Sequence, residues 1–172
     1  MFKRTLAAAL SLALITFLII TVTGAVVVSP SSVTVRKTAD ETVNNSATLQ
    51  DDNALLLALA ANETWFFSVT IFFISSGVAD FKVTLTSPTG STLLHGCTQA
   101  QVNSAGGVQE CNALASGVAF AYSGTGSNES LFLTGIVVNG GTAGNLQLQW
   151  AQNTAEVGDT KVLTNSYLEA HK

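Results

Sequence analysis

Apolar and polar residues alternate along much of this chain. In TWFFSVTIFFIS, Trp65, Phe67, Val69, Ile71 and Phe73 fall on one side of an extended backbone, while Phe66, Ser68, Thr70, Phe72 and Ile74 fall on the other. Successive side chains of a strand point to opposite faces, so this pattern predicts a central strand with one fully apolar face. In DFKVTLTS, Phe81, Val83 and Leu85 are expected inside and Asp80, Lys82, Thr84 and Thr86 in water, with Pro-Thr-Gly at 88–90 as the turn. NLQLQWAQN sets Leu146, Leu148 and Trp150 opposite Asn145, Gln147, Gln149 and Ala151, as in half-buried antiparallel strands. STLLHGC, GVAFAYSG, SLFLTGIVVNG, TKVLT and SYLEAHK are further candidates, as are residues 32–37. Clusters of Gly, Ser and Asn separate them at sandwich-like spacing, and no internal repeat is found. The total, about nine or ten strands, is enough for two packed sheets. The expected fold is all-β: a jelly-roll-like antiparallel β-sandwich preceded by an N-terminal hydrophobic helix.

One stretch, DDNALLLALAANETWFF at 51–67, is ambiguous. Asn53 could cap a Leu/Ala helix, but so short a helix does not hold without tertiary support. Residues 62–64 form a polar break of hairpin length. The sequence therefore predicts a strand at 55–59 paired antiparallel with the strand that begins at Trp65.

Residues 6–28 contain no charged side chain and follow Lys3 and Arg4. A secretory signal has an apolar region of about 7–15 residues and a spanning helix needs about 20, so this stretch is long enough to cross a bilayer. Thr23, Gly24 and Ala25 are small enough for a signal peptidase, which makes Ala25 the cleavage candidate. Either outcome exports everything beyond residue 30. The expected organisation is a signal peptide or anchor helix at 1–28, a linker with a short strand at 29–46, and a β-sandwich at 47–172.

Only 10% of the residues are charged although 47% are hydrophobic, and the net charge is −4. Such a surface is solvated by hydrogen bonds rather than charge, and no basic run could follow a phosphate backbone. Nucleic acid is not an expected partner. Three sequons, at Asn44, Asn62 and Asn128, are glycosylation candidates. Cys97 and Cys111 are the two cysteines, and in an exported domain they favour one disulfide worth about 3 kcal/mol in the chain-entropy model.

Chemistry-bearing groups are sparse. His95 and His171 are the two histidines, and neither a nucleophile elbow nor a metal-binding His pair is present. No enzymatic activity and no cofactor are expected. Asp51 and Asp52, with Asn53 and with Asp40 and Glu41 as further oxygens, are a weak Ca²⁺ candidate; without calcium-loop spacing they read better as solvated turn residues. Trp65, Trp150, Tyr122 and Tyr167 could line a sugar platform, although both tryptophans are in phase with core positions.

The elements around LQDD at 49–52, AANETWFF at 60–67, DFKVTLTSPTG at 80–90 and LQWA at 148–151 resemble, in this order, a group of mostly uncharacterised β-sandwich proteins encoded by tailed bacteriophages and related prophages. The resemblance spans essentially the whole exported part. It implies a virion-surface or tail-associated structural module and supplies no active-site residues. The apolar N-terminus departs from that group and suggests display on a cell surface, a membrane-containing virion, or a secreted subunit. The expected function is a non-enzymatic structural surface module assembling with copies of itself or other structural proteins, held to a membrane by residues 6–28 if these are uncleaved. One alternative is a pilus-like filament subunit polymerising by donor-strand complementation, with Val26, Val27, Val28, Val33 and Val35 as the donor strand. The other is an adhesin or carbohydrate-binding module.

Overall fold

The computed structural model describes the backbone of residues 31–100 and 108–172, and the side chains of 31–98 and 114–172. The expected helix at 1–28, with Ala25, Val26, Val27 and Val28, lies outside the described residues. Strands form where the alternation is strongest: β1 (Ser32–Arg36), β2 (Glu41–Val43), β3 (Gln50–Leu59), β4 (Thr64–Ile74), β5 (Phe81–Thr86), β6 (Thr92–Ala100), β7 (Val108–Leu114), β8 (Phe120–Tyr122), β9 (Asn128–Val138), β10 (Gly144–Gln152), β11 (Thr160–Val162) and β12 (Tyr167–His171).

They build two antiparallel sheets. The larger has eight strands, in the order β1-β12-β4-β9-β6-β7, with β11 pairing both β4 and β2; the smaller runs β3-β10-β5-β8. The apolar rows read from sequence meet between them: Trp65, Phe67, Val69, Ile71 and Phe73 from β4 pack in one core with Phe81, Val83 and Leu85 from β5 and Leu146, Leu148 and Trp150 from β10. Phe73 stacks on Phe81 across the interior at 4.4 Å between ring centroids.

Three expectations are corrected. Residues 55–59 do form a strand, but not a hairpin with β4. β3 pairs with β10 in one sheet while β4 pairs with β9 and β12 in the other. A flat hairpin would carry both leucine and aromatic rows on one sheet; turning the corner lets Leu55, Leu57 and Leu59 face the β4 row across the core. Asn62 takes φ 61° at that corner and its N–H donates to the Gly140 carbonyl, while Asn139 Nδ2 donates to Ala60 O. Second, residues 29–46, expected as a linker with one short strand, supply two: β1 lies where a strand was expected at 32–37, β2 is additional, and they pair with β12 and β11 of the large sheet. Third, Thr84 is buried rather than solvated, because residues 115–118 cover it and its hydroxyl donates to Val118 O.

Candidate functional site

The residues expected as a turn at 51–53 lie inside β3, at an irregularity. Leu56 pairs with Gln147 and Asp51 with Gln149, so residues 52–55 bulge opposite Leu148 alone. A bulge re-aims side chains. Asp51 stays exposed and accepts from Gln149 Nε2, whereas Asp52 turns inward and is 1% exposed. The Asp52 carboxylate is fully engaged by protein donors. Oδ1 accepts the N–H groups of Ala54 (2.9 Å) and Leu55 (2.8 Å), and Oδ2 accepts Lys37 Nζ (2.8 Å) and Trp150 Nε1 (3.2 Å).

Lys37 directly follows β1, and its backbone is clamped by Ser166 O and the Asn165 N–H. Its side chain is buried, with Nζ 2.6 Å from Glu41 Oε2 as well as 2.8 Å from Asp52. Glu41 opens β2 and accepts from Gln50 Nε2 and the Asn53 N–H. One ammonium thus sits between two carboxylates, largely out of water, where charge is costly unless hydrogen-bonded as completely as it is here. A surface depression of about 230 Å³, bordered by Thr38, Asp40 and Asn53, opens beside it.

The sequence had grouped Asp40, Glu41, Asp51, Asp52 and Asn53. Glu41, Asp52 and Asn53 do converge, but on Lys37, which no sequence signal marked. Asp40 turns away to accept from the backbone and hydroxyl of Thr164, which hold its carboxyl below the usual carboxylate range. Among the described residues no set of three or more His, Cys, Asp or Glu side chains is arranged to hold a metal ion.

A second buried polar group is His95 on β6. It is 1% exposed, and neither ring nitrogen has a hydrogen-bond partner. Burial lowers its pKa, and its ring lies 6.3 Å from that of Phe120. Two residues on, the Tyr122 hydroxyl donates to Cys97 Sγ, and burial raises the Tyr122 pKa. Backbone register sets Cys97 directly opposite Cys111 on β7.

The three sequon asparagines, Asn44, Asn62 and Asn128, are all exposed. β1 is the outermost strand of its sheet, with Val33 and Val35 packed against the protein's own core. Trp65 and Trp150 are buried in the core, as their phase suggested, and so is Tyr122, whereas Tyr167 is half-buried. What sequence reasoning missed is the outer face of the large sheet. There His171, Phe66, Ile136 and Leu94 lie in one cross-strand row over β12, β4, β9 and β6. Phe66, Leu94, Phe132 and Val138 on this face are each more than 40% exposed. The same β4 alternation carried the signal: Phe66, Phe72 and Ile74 are apolar on what should be the solvent side.

The described residues define an all-β protein of two antiparallel sheets around one core. No protein-family model and no curated protein matches the chain. Solved structures of infectious bursal disease virus show a weak similarity. The Gx strain structure is 12% identical, covering 84% of this chain and 36% of that one, with a TM-score of 0.21. The VP2 subviral particle is 10% identical, covering 83% and 40%, with a TM-score of 0.22. The chain spans less than half the length of these chains. Similarity of this degree says nothing about what the chain does.

Proposed function

We propose that this chain is a non-enzymatic structural module, exported and displayed on a cell or virion surface, that assembles with copies of itself or with other structural proteins. The observation that carries this reading is the outer face of the large sheet, where Phe66, Leu94, Phe132 and Val138 stand exposed. Exposed apolar side chains gathered on one face of a domain with so few charges are the mark of an interaction face rather than of a freely solvated one. Strand order adds support. The sets β1-β12-β4-β9 and β3-β10-β5-β8 interleave along the chain as in a jelly roll, with β6 and β7 inserted to extend one sheet. Jelly rolls serve capsid and lectin domains among others. The resemblance to phage-encoded sandwich proteins favours the virion setting, and Cys97 opposite Cys111 suits a disulfide in an oxidising compartment. Labelling of intact cells or particles with a membrane-impermeant amine reagent tests display. Modification of exposed lysines before lysis is expected, and protection until lysis would refute it.

A donor-strand filament is the second reading, favoured by β1 being an edge strand next to the N-terminal segment. It requires β1 to leave β12 of its own chain and pair with that of a neighbour. Polymers that survive in denaturant and dissociate only slowly are its expected sign.

A further inference from the structure

We propose that Lys37 and Asp52 condense into an intramolecular amide bond, formed by the folded protein itself with Glu41 as proton carrier. The amine and the carboxyl are already in contact, Nζ to Oδ2 at 2.8 Å, with side-chain exposures of 3% and 0%. Holding two reactants in this way replaces a bimolecular encounter with an intramolecular one. Condensation consumes a free amine and a neutral acid, so the step begins with one proton passing from the ammonium to Oδ2 along their existing contact.

The surrounding donors fit the steps. Nζ attacks Cγ, and charge develops on Oδ1, which already faces the N–H groups of Ala54 and Leu55. This is the arrangement of an oxyanion hole, and the β3 bulge creates it. Glu41 Oε2, 2.6 Å from Nζ, takes the proton that the attacking nitrogen sheds and passes it to Oδ2. Trp150 Nε1 steadies Oδ2 as it departs. The N–Cγ bond forms, the Cγ–Oδ2 bond breaks, and one water leaves toward the adjacent depression. Nothing is oxidised or reduced, and Glu41 ends as the carboxylate it began. The product joins the residue after β1, at the edge of the large sheet, to β3, at the edge of the small one. It is a covalent staple between the two layers, and it stands whether or not the chain is displayed on a surface.

Mass spectrometry of the full-length folded chain decides the matter. After digestion at Asp and Glu residues, the peptides bearing Lys37 and Asp52 are expected as one branched species, lighter than their sum by one water. Lys37→Arg, which cannot condense, supplies the unlinked reference. Glu41→Gln is expected to keep the fold by circular dichroism but to yield separate peptides. Separate peptides from folded wild-type protein would overturn the bond, as would a water lost without joining them. Linkage in Glu41→Gln as complete as in wild type would overturn the role given to Glu41.

Discussion

His95 and Glu63 show how single residues set the acid response of this protein. His95 is buried without hydrogen-bond partners, and its folded pKa lies below the 6.5 of the free side chain. Below 6.5 the unfolded chain therefore binds a proton that the folded one resists, so stability falls as pH drops from 6.5 toward the folded value. His95→Leu is expected to flatten denaturant midpoints between about pH 7 and 5, without loss at neutral pH, because it removes unpaired buried nitrogens. Midpoints that track wild type would contradict this. Glu63 behaves by the same linkage at lower pH. Lys172, Trp65 Nε1 and the Ala60 N–H hold its carboxylate at about 2 against an ordinary 4.5. Its contribution is present above 4.5 and is lost as pH falls through about 2. Glu63→Gln should abolish that part of the acid transition, and the difference should shrink in high salt because the pair is open to solvent. The core residues were legible in the sequence because alternation marks them directly, as Trp65, Phe67 and Trp150 show. Lys37 was not. A lysine in a polar run looks solvated, and only the β3 bulge that turns Asp52 inward makes it a buried partner.

Elements were easier to foresee than their partners. β4, β5, β9 and β10 follow their apolar rows closely, since half-burial imposes a period of two on any strand. Which strands pair is set by where the chain changes sheets, and local pattern does not encode that. The corner at 60–63 has the length and composition of a hairpin turn, yet it carries the chain across the core because both flanking strands have apolar faces to bury against each other. β2 and β7 escaped notice, one being only three residues long and the other, VQECNAL, largely polar and without a clean alternation. Gly135 illustrates a constraint at this scale. Halfway along β9 it sits between Phe67 and His95 in register, and an added Cβ would lie 2.4 Å from Leu94 O and 2.8 Å from Phe67 Cζ. Gly135→Ala is expected to cost about 1–3 kcal/mol by overpacking, read from chemical denaturation. An unchanged midpoint would show that β4 and β6 can move apart there.

At the scale of the whole molecule, an all-β class and a two-sheet core could be read from the chain, whereas its outward-facing apolar row could not. Alternation sets Phe66 opposite the core row, but only the sheet order shows that nothing in the described fold covers Phe66 and Leu94, against the usual burial of Phe and Leu. If that face is the assembly surface, charge placed on it should act on association and leave folding intact. Sedimentation velocity of the full-length chain, in detergent where the apolar N-terminus requires it, compared with a Phe66→Asp/Leu94→Asp variant, is the most direct test. A wild-type assembly that grows with concentration, and a folded monomeric variant, are the results predicted. A wild-type chain that remains monomeric at every concentration, or a variant that assembles as well as wild type, would contradict a module that builds structures through this face.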